Sequence, residues 1–452
     1  MRRGGAAFSF RICMHLGSRP PVVQNDTMSD ALTGLATMSR FSETLRDWRE
    51  AGQRHTQLML IALGEMRALN LAFGQAVGDS VLVETARRIS HFAHDEFTEQ
   101  PCLIARVDGS SFLLANCEDC TRERWQWLAE ALADAIALPF RDANNAASIR
   151  LWPRIVLARS AADESDGTSL DKLADGLADL RERGAVRIAW APGHANGFGA
   201  GRRQLERDVL LAIDRDEISV LHQPQYALCD DRLVGAEALA RWNHPRLGPL
   251  GAATLFAFGE RADHIAQLSR HIIHRAMSEA AHWPEHLRLS VNVTATDLSA
   301  GGFGEALVEI AARSAFPLER LTLEITEQML LVDIGKAQAT LLALRERGVR
   351  IALDDFGAGF CNFRYLQLLP LDLLKLDRSM IEGITADSRN LAVFRGIVAM
   401  AQALNLDVVV EGVENIAQRE LIAREGCACY QGFLRSPPVS SSELVQLARA
   451  PA

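Results

Sequence analysis

Seven polar residues in the C-terminal half of this chain sit near the ends of apolar, strand-like runs: Glu237, Asn292, Glu324, Asp354, Lys375, Glu411 and Gln431. Four are acids, on four different runs. Buried strands read as continuous apolar stretches, so an acid inside one needs a partner. Unpaired carboxylates gathered together would raise one another's pKa. A divalent cation resolves this, and hard oxygen ligands suit magnesium or manganese. In LDDFGAGF, Leu353 to Phe360, two carboxylates stand side by side. Neighbours on a regular strand point to opposite faces. Asp354 and Asp355 therefore reach one site only if the strand ends between them, with Gly357 and Gly359 allowing a tight loop. Adjacent carboxylates there would serve two metals about 4 Å apart, one carboxylate bridging.

The elements that must position these residues recur regularly. ISVLHQPQ (218–225), LVGAEALA (233–240), LRLSVNV (287–293), LTLEIT (321–326), VRIALDD (349–355), LLKLD (373–377), LDVVVEG (406–412) and ACYQGF (428–433) read as strands, most followed by a helical stretch. That rhythm predicts a (β/α)8-type, TIM-like barrel, whose strand C-termini converge on one face. The first two strands lie close together and read as a hairpin. Upstream, TQLMLIAL (56–63) and CLIARV (102–107) read as strands, and FSETLRDWREAG and GDSVLVETARRISHFA as amphipathic helices, the second opened by Gly78 and Asp79. VDGSSF (107–112) reads as a hairpin turn, because Asp-Gly tolerates positive φ. RERWQWLAEALADAIAL (122–138) predicts a helix packed on its own sheet. The expected class is α/β: an α+β domain over 28–191, a Gly-rich linker over 192–203 and the barrel over 204–449, with 1–27 a flexible leader and Met28 an alternative start.

With 452 residues, 48% of them hydrophobic, the chain can build more than one core. A formal charge of −9 disfavours nucleic acid as the main partner. The eight cysteines are scattered. Cys117 and Cys120 form a lone CEDC, better read as reduced thiols than as a zinc site. That usage, with no run of about twenty apolar residues, points to a cytoplasmic protein without a membrane span. The pair HIIH (271–274) and Trp125, Trp127, Trp242 and Trp283 are read as packing or surface residues, with Trp242 also beside Arg241 at the expected substrate wall.

The C-terminal region resembles the EAL family of cyclic di-GMP phosphodiesterases. EALAR (237–241), VNVT (291–294), LEITE (323–327), LDDFGAGF (353–360), LLKLDRSM (373–380), VVEGVEN (409–415) and QGF (431–433) stand in the family's order. The resemblance implies hydrolysis of cyclic di-GMP to linear pGpG with two Mg2+ or Mn2+ ions per site. Glu237, Asn292, Glu324 and Asp354 resemble ligands of one metal, and Asp354, Asp355 and Glu411 those of the other. Lys375 resembles the lysine that positions the attacking water, and Glu327 the acid that supports the loop after Asp355. Gln223, Arg241 and Gln431 resemble substrate contacts. A homodimer through this domain is also implied. An alternative is a receptor that binds cyclic di-GMP without hydrolysing it and acts through a protein partner. Three departures stand out: His222 replaces a usual Tyr, GPLGAATLF lacks the usual prolines, and the loop reads FGAGFCNF where FGTGYSSL is usual. None removes a metal ligand.

The N-terminal region resembles a degenerate GGDEF, or diguanylate cyclase-like, domain. DALTGLATMSRF (30–41) and LNLAFGQAVGD (69–79) match its blocks. Asn70 and Asp79 fall at its guanine-reading positions, so a GTP site is implied there. DGSSF (108–112) replaces GGDEF, putting Ser110 and Ser111 where acids belong, and Ala62 and Gly64 replace aspartates. A cyclase needs carboxylates for magnesium. No cyclase activity is expected. The inhibitory RxxD site is absent too, with Glu99 and Cys102 at its ends. The expected role is regulatory or dimerising.

Overall fold

The structure, a computed structural model, describes residues 29–53, 55–64, 66–97, 101–141, 148–161, 166–182, 186–192, 201–261, 264–326, 334–357, 364–381, 383–385 and 387–449. In the N-terminal domain, helix α1 (Met38–Glu50) starts at Thr37, whose side chain accepts from the Arg40 N–H. Strand β1 (His55–Leu63) is buried on both faces, which explains its unbroken apolar run. Helices α2 (Met66–Phe73) and α3 (Gln75–Glu96) are separated by Gly74 at φ +90°. That left-handed backbone suits glycine. It starts α3 three residues before the Gly78 expected from the sequence. Strands β2 (Cys102–Asp108) and β3 (Ser111–Asn116) form the expected hairpin, with Asp108 opposite Ser111. Helix α4 (Arg122–Ala137), a short ribbon of β4 (Phe140–Arg141) and β5 (Ser148–Ile149), strand β6 (Pro153–Ala161), helix α5 (Asp166–Glu182) and strand β7 (Ile188–Trp190) complete the domain. The sheet order is β2-β3-β1-β6-β7. Met59 and Ile61 face the apolar side chains of α3 and α4, including Ile89, Phe92 and Trp125. Leu58 and Leu60 pack with Phe41 and Leu45 of α1 and Leu173 of α5.

Helix α6 (Gly201–Asp214) leads into the second domain. Residues 201–203, expected in the linker, are therefore its first turn; 193–200 lie outside the described residues. Strands β8 (Ile218–Ala227) and β9 (Leu233–His244) form the hairpin the sequence suggested. A short β10 (Gly248–Leu250) adds to β9. Then come α7 (Ala252–Arg261), α8 (Ile265–Ala280), β11 (Arg288–Asn292), α9 (Ala295–Ser299), α10 (Phe303–Arg313), β12 (Leu321–Thr326), α11 (Ile334–Arg345) and β13 (Arg350–Phe356). The chain ends through α12 (Arg364–Leu368), β14 (Leu373–Leu376), α13 (Ser388–Ala403), β15 (Asp407–Val410), α14 (Ile416–Arg424), β16 (Cys429–Gln431) and α15 (Ser441–Arg449). The order β9-β11-β12-β13-β14-β15-β16-β8 closes on itself through the β8–β9 pairing. This is an eight-stranded barrel in which only β8 runs against its neighbours. The reversal accounts for the opening hairpin.

One apolar cluster runs continuously from the N-terminal sheet into the barrel. Helix α4 packs on its own sheet, as expected, but also on the barrel. Trp127 meets Phe258 of α7 edge-on, ring centroids 5.7 Å apart. The Arg124 guanidinium donates to the Leu247 carbonyl at 3.0 Å and also to that of Pro249. Trp242 is fully buried, its indole N–H donating to Glu217, so it packs the core rather than lining a substrate wall. Cys117 and Cys120 are free and buried, and burial pushes their thiols up to about 11 and about 12. No described helix is long and apolar enough to cross a membrane.

Candidate active site

The barrel topology delivers the acids to one mouth. Glu237 stands on β9, Asn292 ends β11, Glu324 is on β12, Asp354 and Asp355 are on β13, Lys375 is on β14, Glu411 follows β15 and Gln431 ends β16. Parallel strands in matched register stack these positions side by side: Asn292 pairs with Glu324, and Thr326 with Asp354.

The paired aspartates are placed differently from the expectation. Strand β13 does not stop between them; it continues to Phe356. Instead its register against β14 jumps, from Leu353 opposite Leu374 to Phe356 opposite Leu376. Two residues, Asp354 and Asp355, thus face the single Lys375. A bulge re-aims side chains and commonly sits beside active sites. Asp355 takes φ +58°, and its N–H donates to Asp354 Oδ1 at 2.9 Å. Gly357 follows at φ +96°, where a Cβ would strike Met380.

Lys375 is the electrostatic centre. Its Nζ lies 3.1 Å from Glu237 Oε2, 2.7 Å from Glu324 Oε2, 3.1 Å from Asp354 Oδ1 and 2.7 Å from Glu411 Oε1. Burial alone would lower its pKa, but the four carboxylates hold it well above its usual value. The acids separate in response. Burial would raise Glu237, yet Lys375, Gln431 and Asn292 hold it below the ordinary range. Burial, and then Glu237, push Glu324 well above it. Burial also outweighs Lys375 at Asp354, raised to about 6, and at Glu411, raised well above the usual carboxylate.

Two oxygen clusters emerge. Carboxylate oxygens of Glu237, Glu324 and Asp354 lie within 4.8 Å of one another, as do those of Asp354, Asp355 and Glu411, with Asp354 common to both. Asn292 Nδ2 donates to Glu237 Oε1 at 2.8 Å, leaving its carbonyl oxygen uncommitted to that bond. Gln431 Nε2 donates to Glu237 Oε2 at 2.9 Å and to Glu411 Oε1 at 3.0 Å, and its oxygen accepts from Gln225.

The remaining expected residues differ. Gln223 sits on β8 opposite Glu237, and its amide donates to the Ser436 carbonyl. Arg241, four residues beyond Glu237, pairs with Asp95 of the N-terminal domain at 2.9 Å. Glu327 and the loop 358–363, with Cys361, lie outside the described residues. His222 points away from Gln223 into the shell, bonded to Glu279 at 3.0 Å and edge-on to Trp283, so replacing the usual Tyr there alters packing. In the N-terminal domain, Asn70 is exposed on α2 with its side chain against Gly78, next to Asp79 on α3. Sequence reasoning missed Arg87, His91 and Asp95 of α3, which reach the mouth, and Asp377, which binds His91 at 2.8 Å. Their four-residue spacing was visible, but a polar helix stripe reads as a solvated face.

A closed eight-stranded barrel with an acid-lined mouth at its strand ends, preceded by a cyclase-like α+β domain, defines a class of two-domain barrel proteins. The chain belongs to the EAL domain family: residues 206–438 match it, and residues 27–178 match the family described as diguanylate cyclase, GGDEF domain. It is 30% identical over 448 residues to the cyclic di-GMP phosphodiesterase NbdA of Pseudomonas aeruginosa, covering 93% of this chain and 54% of that protein. It is 28% identical over 397 residues to the bifunctional diguanylate cyclase/cyclic di-GMP phosphodiesterase MucR of the same species, covering 87% of this chain and 57% of MucR. A solved structure titled PaMucR phosphodiesterase, c-di-GMP complex, matches with TM-score 0.51 and 31% identity, over 53% of this chain and 99% of that one. The chain spans between half and two thirds of the length of the curated relatives it matches.

Proposed function

We propose that the chain hydrolyses cyclic di-GMP to linear pGpG with divalent cations, and that its N-terminal domain makes no cyclic dinucleotide but regulates or dimerises the enzyme. The observation that supports this most is the pair of oxygen clusters sharing Asp354 beside one buried lysine. The donor set fits magnesium or manganese, since every candidate ligand atom is a hard oxygen. Glu324 Oε1, moreover, is buried with no hydrogen-bond partner among the described residues. Glu237, Asn292, Glu324 and Asp354 would hold one ion, and Asp354, Asp355 and Glu411 the other. Two bound cations would acidify a water near neutral pH and neutralise the phosphoryl oxygens.

The chain's own residues do the rest. Lys375, whose carboxylate neighbours hold its ammonium well above the usual lysine value, adds positive charge where the phosphoryl group would sit. Gln431 and Asn292 lock the carboxylate planes of Glu237 and Glu411 through their amide N–H groups. Arg241 offers a guanidinium for a phosphate oxygen or a base face. Glu237→Ala in the full chain should lower hydrolysis by about 10³-fold or more and remove manganese uptake at that cluster. Chromatographic detection of pGpG and calorimetry check this; wild-type protein that binds cyclic di-GMP with Mn2+ yet forms no pGpG would instead be a receptor. The same preparation given GTP and Mg2+ should yield no cyclic di-GMP.

A further inference from the structure

Helix α3 of the N-terminal domain lies across the barrel mouth. Arg87, His91 and Asp95 recur every four residues, so they share one face. Arg87 Nη1 donates to Asp355 Oδ2 at 3.2 Å, and its Nε and Nη2 donate to Glu84, which fixes the guanidinium plane. His91 Nε2 lies 2.8 Å from Asp377 Oδ2 and its Nδ1 3.7 Å from Asp355 Oδ1. Asp95 Oδ1 accepts from Arg241 at 2.9 Å, and its Oδ2 accepts from the Ala253 N–H at 2.7 Å. Glu96 accepts from the N–H groups of Gly251 and Thr254, at 2.9 and 3.2 Å, so α3 also caps the start of α7. His94 stacks on Phe433, two residues past Gln431, ring centroids 5.2 Å apart.

The interface thus has two parts. Trp127 and Arg124 make an apolar and carbonyl-capturing seam on Phe258, Leu247 and Pro249. The α3 face reaches the candidate site residues Asp355 and Arg241, and also the start of α7. We propose that α3 is a built-in competitor for the mouth: Arg87 sets a cation on Asp355, and Asp95 sets a carboxylate on Arg241, so docking of this helix and loading with divalent cation plus phosphodiester exclude one another. The helix presents the two charges that the loaded site would present, each to the same partner. Sharing those positions weakens both, because a guanidinium and a divalent cation on one carboxylate repel, as do a carboxylate and a phosphate on one guanidinium. The exclusion is reciprocal: whatever loosens α3 tightens cation binding, and cation and substrate loosen α3 by the same factor. This rests on the phosphodiesterase reading for the identity of the competing ligands.

The test uses the full chain. Arg87→Ala combined with Asp95→Ala leaves every residue assigned to the candidate site in place. Calorimetry with Mn2+ alone should show at least tenfold tighter binding than wild type, and kcat/KM for cyclic di-GMP should rise at least tenfold. Unchanged manganese affinity in a variant with wild-type circular dichroism overturns the competitor. Tighter manganese binding without hydrolysis by either protein supports it and removes the phosphodiesterase reading. Should the double variant fail to fold, hydrogen exchange on the wild type decides. Mn2+ with cyclic di-GMP should speed exchange at the Gly251, Ala253 and Thr254 amides, which α3 holds; unaltered protection there overturns the competitor.

Discussion

The two domains of this chain each carry a polar hollow, and the hollows are opposite in charge. The N-terminal one, about 480 Å³, is lined among the described residues by Arg67, Arg154 and Arg181 with Ala62, Gly64 and Ser110, and no carboxylate is among those described lining residues. The barrel mouth gathers Glu237, Glu324, Asp354, Asp355 and Glu411 around Lys375. Both domains bury apolar cores, and one cluster runs through both. Arginines in a hollow favour a phosphate. A mouth of carboxylates around one lysine stores repulsion that only cations, or protons, relieve. The second hollow is also the one the first domain covers, through α3.

Three experiments break or sharpen this contrast. The largest effect is expected from Lys375→Met, which leaves Glu237, Glu324, Asp354 and Glu411 buried without their common partner. Stripped of metal, the variant should lose about 3–5 kcal/mol of stability in urea titrations and regain part of it with Mn2+. Equivalent loss from neutralising arginines in the N-terminal hollow would erase the distinction drawn here. Next comes Trp127→Ala, which empties the seam against Phe258. A cost of about 3–5 kcal/mol is expected, and one unfolding transition should become two as the shared core separates. Scanning calorimetry reads this directly; a single transition of unchanged width means that the two cores stay coupled without Trp127.

The smallest effect concerns Glu96. Burial, then neighbouring Asp95, push its carboxyl up to about 7, against the Gly251 and Thr254 N–H bonds and Arg124, which favour the ionised form. A raised acid favours the protonated docked state. Its contribution is therefore fullest below the ordinary value near 4.5 and is lost as pH rises through about 7. Between pH 5 and pH 8 the wild type should lose about 1–3 kcal/mol relative to Glu96→Gln, read from urea midpoints at the two pH values. Parallel pH profiles would place Glu96 outside the interface.

Much of the barrel site was legible in the residues. Acids interrupting apolar runs break the burial rule, and a broken rule repeated on several strands marks a site. Lys375 was visible for the same reason. The aspartate pair was half legible: adjacent acids signalled an irregularity, but strand termination and a bulge leave the same local trace. Only the pairing of β13 with β14 distinguishes them, because register is a property of two strands. The start of α3 was misplaced by three residues because Gly78 resembles a helix start, whereas its real neighbour is the Asn70 side chain on α2.

What the sequence determined by itself was the period of each element and which residue types could do chemistry, since side-chain direction and propensity are local. What the tertiary structure alone decided was company: four carboxylates meeting one ammonium, two aspartates facing one lysine across a bulge, and a helix from the first domain seated on the mouth of the second. Those contacts include a hydrogen-bonded pair 286 positions apart. They exist because closing the barrel and burying Trp127 against Phe258 bring distant segments to within a few ångströms, and no local pattern encodes that distance.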